Sequence, residues 1–159
     1  MKQVHKIIAS ALGTGYAPIA PGTAGAILGI IIMYFLNLML ISLKINTNTI
    51  LFLDLVAIIL VLFIGVHAIT KVHQSWKHDA SEIVIDEVIG VWIAVLAMPF
   101  HWKYYLYALI LFRFFDIAKP LYIRRFDEMK TDWSVMLDDV LAGVYSLIAI
   151  QILYFFNWI

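Results

Sequence analysis

Apolar residues run without a charge from residue 24 to residue 43, and again from 50 to 69 with Asp54 as the charged interruption. Each run approaches the ~20 residues that an α-helix needs to cross a bilayer. Three further stretches are apolar but less regular: residues 88–100 are few, 104–115 carry Arg113, and 141–159 contain Gln151 and Asn157. A run of about a dozen apolar residues is more often a buried or re-entrant segment than a full crossing. The pattern predicts an all-α chain, a polytopic helical membrane protein whose residues 1–159 form one compact bundle with about four to five spans.

Ahead of the first run, Val4, Ile7, Ile8, Ala11 and Leu12 recur on one helical face, with Lys2, Gln3, His5, Lys6 and Ser10 largely opposite. This spacing predicts a short N-terminal helix lying in the membrane interface. A secretory signal fits poorly, because the apolar stretch is short and is broken by Gly13-Thr14-Gly15. Residues 13–23 are dense in glycine and proline. Such a loop is ordinarily a rigid turn feeding a helix. It is also a possible phosphate cradle, since glycine lets backbone amides approach an anion and the next helix adds its own donors. In that second reading Thr14 and Thr23 are phosphate-binding candidates. The spacing matches neither a Walker loop nor a dinucleotide fingerprint, and by itself favours the turn.

Composition sharpens the membrane reading. Hydrophobic residues make up 64% of the chain and charged ones 14%, where soluble domains carry roughly a quarter charged. The chain has no cysteine, which excludes disulfides, thiolate metal sites and cysteine nucleophiles. Its formal net charge is zero, so it offers no polycation for nucleic acid. With the N-terminus in the cytoplasm and all segments crossing, Lys2, Lys6, Lys71, Lys77, Lys119, Arg124, Arg125 and Lys130 fall inside, against Lys44 and Lys103 outside. Tyr154 and Trp158 read as interfacial belt residues.

Five carboxylates stand against this background: Asp86, Glu87, Asp116, Asp138 and Asp139, each beside or within an apolar run. Ionisable groups at such positions are costly and point to function. The same topology puts all five at cytoplasmic helix ends. Ile85-Asp86-Glu87-Val88-Ile89-Gly90 and Leu137-Asp138-Asp139-Val140-Leu141-Ala142 share an order, and adjacent acids diverge by ~100° on a helix, so each pair can embrace one centre. Gly90 follows Asp86 by four residues and Gly143 follows Asp139 by four, clearing room for close helices. Four carboxylates brought together repel strongly, and an oxygen-seeking divalent cation such as Mg²⁺ relieves that. The competing reading is helix N-terminal acids answering the dipole, or ion pairs with basic loops. Two pairs plus Asp116 favour the metal.

Arg113, Asp116 and Lys119 repeat every three residues, which stacks them on one stripe. The stripe is either a self-neutralising ladder or a metal ligand between two phosphate-binding cations, with Arg124 nearby adding positive field. A metal-bearing, cation-rich pocket attracts a phosphate monoester. His78, ahead of Asp79 and Glu82, is a candidate proton donor, although a solvated loop histidine is commoner. His5, His67, His73 and His101 read as structural, and Asp54 as a cap or packing polar group. A cation transporter is the alternative function, but its acids should be spread through the membrane depth rather than gathered at one side. A non-catalytic scaffold would need no metal.

Gly13-Thr14-Gly15, Ala20-Pro21-Gly22-Thr23, Ile85-Asp86-Glu87-Val88-Ile89-Gly90, Arg113-Phe114-Phe115-Asp116-Ile117-Ala118-Lys119-Pro120 and Asp138-Asp139-Val140-Leu141-Ala142-Gly143 together resemble, in order and over nearly the whole chain, the phosphatidylglycerophosphatase A family. The resemblance implies a Mg²⁺-dependent lipid phosphatase of the bacterial inner membrane. Its substrate would be phosphatidylglycerophosphate and its products phosphatidylglycerol and phosphate. On this view the five carboxylates hold metal and carry catalysis, while Arg113, Lys119 and Arg124 grip phosphate at the cytoplasmic face. Neither the acid pattern of CDP-alcohol phosphotransferases nor the Pro-Ser-Gly-His signature of histidine-based lipid phosphatases is present.

Overall fold

The two longest apolar runs fold as α2 (Pro21–Ser42) and α3 (Thr47–Val72), preceded by α1 (Lys2–Ala9) and a 3₁₀ turn at Thr14–Tyr16. They are followed by α4 (Ile85–Val95), α5 (Trp102–Ala118), α6 (Ile123–Asp127) and α7 (Ser134–Phe155). The structure, a computed structural model, describes residues 2–77, 80–129 and 131–159, and these contain helices and no strand.

Local signals set the helix starts. Pro21 occupies the first turn of α2, where its missing N–H costs nothing. The Asn46 side chain caps α3 by accepting from the Thr49 amide at 2.9 Å. At α7, Thr131 and Ser134 exchange side-chain hydrogen bonds with each other's amides at 2.9 and 3.0 Å. That cap starts the helix at Ser134, well before the apolar run at 141, and so takes Asp138 and Asp139 into its second turn.

α2, α3 and α7 are long and apolar enough to cross a membrane, and they are the helices among the described residues that meet this measure. Their outward faces carry Ile27, Ile31, Phe35, Phe52, Leu60, Phe63 and Ile148, all exposed, a surface suited to lipid and costly in water. At α4 the short apolar run takes the buried reading rather than the crossing one. This 11-residue helix is buried at every position except half-buried Glu87, because α2, α5 and α7 enclose it. An enclosed helix has no bilayer to span, so its length is free of the ~20-residue requirement.

Glycines let these helices meet. A side chain at Gly25 would press on Val84, and one at Gly29 on Val88 and Val91 of α4, while the Trp92 indole donates to the Gly29 carbonyl at 2.8 Å. Farther along the bundle, the Asn37 amide donates to Asp54 at 3.3 Å and to the Tyr105 hydroxyl at 3.1 Å. This polar group ties α2, α3 and α5 together and gives Asp54 a packing role.

α1 is amphipathic as its spacing predicts, with Val4 and Ile7 exposed outward. Its polar side turns inward: the His5 ring lies 5.5 Å from that of His67, and Lys6 Nζ lies 5.4 Å over Trp76.

Candidate active site

At one end of the bundle the start of α2, the segment after α3, the starts of α4 and α7 and the end of α5 surround a cavity of ≈ 820 Å³. α2, α4 and α7 begin at this end and α3 and α5 finish there, so acids separated by more than 50 positions in sequence reach this one place. Asp86, Glu87, Asp116, Asp138 and Asp139 all line the cavity, as do Arg113 and Lys119.

Three of the acids form a tight group. Carboxylate oxygens of Asp86, Glu87 and Asp139 lie within 4.8 Å of one another. The approach depends on two glycines. A Cβ on Gly143 would strike the Gly90 carbonyl, and one on Gly90 would strike the Phe112 ring and stand 2.8 Å from the Asp139 carbonyl. α4 and α7 thus touch backbone to backbone one turn beyond their acids. Gly22 does the same for α2, since a Cβ there would collide with the Glu87 carboxylate and sit 3.1 Å from Arg113 Nη1.

Burial, then the neighbouring Glu87, Asp139 and Asp138 carboxylates, hold Asp86 well above the usual carboxylate range. Burial likewise raises Glu87, with Asp116 adding to the rise and Arg113 opposing it. The buried Glu87 Oε2 has no hydrogen-bond partner among the described residues. Crowded hard oxygen donors, one of them unanswered, fit a divalent cation with oxygen preference.

Cations hold the outer acids. Arg113 Nη1 lies 2.5 Å from Asp116 Oδ2 and 3.7 Å from Glu87 Oε1, bridging α5 to α4. Lys119 Nζ donates to Asp138 at 3.0 Å. The stripe of Arg113, Asp116 and Lys119 therefore ends early: α5 stops at Ala118, Lys119 turns left-handed with φ 42°, and its side chain swings to α7. Replacing Arg113 with Met leaves Glu87 and Asp116 without their shared counter-charge. We expect thermal unfolding in detergent to show a loss of about 2 kcal/mol.

Thr14, Thr23 and Arg124 lie outside the cavity lining. The Thr14 hydroxyl donates to the Ala11 carbonyl at 3.0 Å, Thr23 is half-buried in the first turn of α2, and exposed Arg124 pairs with Glu128 at 3.3 Å. The glycine loop has a different task. A Cβ on Gly15 would collide with the Glu82 carbonyl, and the Val84 amide donates to the Ala9 carbonyl at 2.9 Å, so the loop clamps the segment leading into α4. His78, Asp79 and Lys130 lie outside the described residues. Sequence reasoning used Lys77 for topology alone, although it lines the cavity, and passed over Asp132, whose carboxylate meets Thr70 and His73 at 2.6 Å each. It also passed over the Gly22, Gly25 and Gly29 stripe, although that spacing in an apolar run is a signal for close helix approach.

Comparison with known proteins gives a consistent family picture. The profile of a family described as Phosphatidylglycerophosphatase A matches residues 7–154. A candidate phosphatidylinositol-3-phosphatase of Bacteroides thetaiotaomicron is 42% identical over 149 residues, covering 92% of this chain and 91% of the relative. A phosphatidylglycerophosphatase A of Haemophilus influenzae is 37% identical, over 94% of this chain and 88% of its own. The Escherichia coli protein of that name is 35% identical, over 98% and 84%. No solved structure matches.

Proposed function

The chain belongs to the phosphatidylglycerophosphatase A family and is a phosphoric monoester hydrolase, and from that premise we propose that it releases phosphate from phosphatidylglycerophosphate, with Mg²⁺, at the cytoplasmic face of a bacterial inner membrane. The observation that carries this reading is the convergence of Asp86, Glu87 and Asp139 beside Arg113 and Lys119 in one cavity, at the end of a bundle whose flanks are apolar and exposed. Acyl chains belong with those flanks, and the headgroup with the cavity. Lys6, Lys71, Lys77 and Lys119 lie toward the cavity end, and the positive-inside rule favours the cytoplasm for that end.

Asp86, Glu87 and Asp139 would hold the metal. When bound, Mg²⁺ supplies the positive charge that polarises a phosphoryl group and acidifies water. Arg113 and Lys119 orient Asp116 and Asp138 and offer their remaining N–H groups to phosphate oxygens. Asp116 and Asp138 border the trio and are the candidates to take the proton that an attacking water loses, as the P–O ester bond breaks and the glycerol oxygen is protonated.

The transporter alternative would need acids through the depth of the bundle. A second cavity at the opposite end is lined by Ala97, Met98, Pro99, Gln151, Tyr154, Phe155 and Asn157, without a carboxylate.

The test is phosphate release by the purified chain in detergent from phosphatidylglycerophosphate, with phosphatidic acid and phosphatidylinositol 3-phosphate as competitors. Turnover should need Mg²⁺, stop with chelator, and favour phosphatidylglycerophosphate. Undiminished turnover in chelator would remove the metal from the reading, and preference for another lipid would replace the substrate.

A further inference from the structure

We infer that Lys77 binds the phosphodiester of the lipid headgroup, the phosphate that remains with the product, in a subsite apart from the acid trio; this inference rests on the lipid-phosphatase reading above. The proposed substrate carries two unlike phosphates. Its terminal monoester leaves, and across a glycerol its diester stays.

The cavity is unevenly equipped for them. Among the described residues, Asp86, Glu87, Asp116, Glu128, Asp138 and Asp139 line it against Lys77, Arg113 and Lys119. Arg113 is engaged by Asp116 and Glu87, and Lys119 by Asp138. Lys77 is exposed on the wall with no hydrogen bond or ion pair among the described residues. Arg113 and Lys119 already answer carboxylates, so a phosphodiester anion entering this acidic cavity finds in Lys77 a cation whose charge, among the described residues, is not shared with an acid. The Ser81 side, also part of the lining, gives the same wall a hydroxyl.

The position of Lys77 is built rather than incidental. Its neighbour Trp76 is held by Lys6 Nζ, 5.4 Å over the ring, and by an edge-to-face contact with Tyr16, the ring centroids 6.2 Å apart. The Trp76 amide donates to the Val72 carbonyl at 2.7 Å, continuing the end of α3. The far end of the segment is pinned by the Gly15 contact with Glu82 and by the bond from Val84 to Ala9. A cation next to a fixed residue such as Trp76 loses less freedom on binding than one on a free loop. α1 and the glycine turn thereby act on substrate without touching it.

Steady-state kinetics of the full chain in mixed micelles test this with Lys77→Ala and Lys77→Arg. Lys77→Ala should raise KM for phosphatidylglycerophosphate by about tenfold, with kcat within about twofold of the parent. The inhibition constant of phosphatidylglycerol, which carries the diester alone, should rise by a similar factor, while that of inorganic phosphate stays put. Added salt should raise KM less in Lys77→Ala than in the parent, because the screened charge is gone. Lys77→Arg should restore the parent values. An unchanged KM, a loss confined to kcat, or an equal rise in the inhibition constant of inorganic phosphate would overturn the subsite. A parent chain that releases no phosphate from this lipid sinks the lipid-phosphatase reading instead, so the two failures are distinct.

Discussion

Asp139→Asn should lower phosphate release by roughly 10³-fold, equivalent to about 4 kcal/mol of transition-state stabilisation, while leaving a folded protein. Asp139 is 3% exposed and is the member of the trio that α7 supplies. Asparagine keeps its volume and one oxygen but removes the charge that a divalent cation requires. The stability readout should move the other way. Without metal, three carboxylates within 4.8 Å of one another repel, and deleting one charge relieves them. In chelator the thermal midpoint of Asp139→Asn should equal or exceed that of the parent, and the protection that Mg²⁺ gives the parent should vanish. Turnover near the parent level would take Asp139 out of the site, and a lower midpoint in chelator would mean that the variant is a folding defect.

Gly143→Val should be the most damaging change outside the acids, costing about 3 kcal/mol or more of stability and nearly all activity. The added Cβ would overlap the Gly90 carbonyl and come 3.1 Å from the Ile93 Cβ. Backbone on one side and a buried core on the other leave nothing to yield but the helix separation. Moving α7 away from α4 draws Asp139 from Asp86 and Glu87, so activity should fall even in the fraction that folds. Gly143→Ala should lie between the parent and valine in both measurements. Thermal denaturation and phosphate release that match the parent in Gly143→Val would show that the close approach of these helices is dispensable.

Much of this site was legible because its chemistry is expensive. Asp86, Glu87, Asp138 and Asp139 stand out in apolar surroundings, and Gly90 and Gly143, one turn on, mark where two helices can close. The helical repeat alone connects those facts. What one sequence does not carry is which face meets which neighbour. Lys119 continues the spacing of Arg113 and Asp116, yet a left-handed residue at the end of α5 sends it to Asp138. Gly13-Thr14-Gly15 has the composition of an anion loop, but the backbone of Glu82 fills the space beside Gly15. Thr14 is therefore spent on local carbonyls, and Arg124 on Glu128. Asp54 read as a cap or a packing polar group, and the choice lay in Asn37, which comes from another helix and joins Asp54 to Tyr105. The shortness of residues 88–100 pointed to a buried or re-entrant segment, and length had to decide because hydropathy does not distinguish lipid from protein as the apolar surround.

That last distinction reaches beyond topology. Helices in contact with lipid tilt or stretch to match the hydrocarbon thickness around them, and α2, α3 and α7 present the surfaces that do so. α4 is sheathed by its neighbours along its whole length, and it carries Asp86 and Glu87 on its first turn. Hydrophobic mismatch can therefore lean the outer helices without setting the depth of those two carboxylates, which answers to protein packing instead of to the acyl chains of the host membrane.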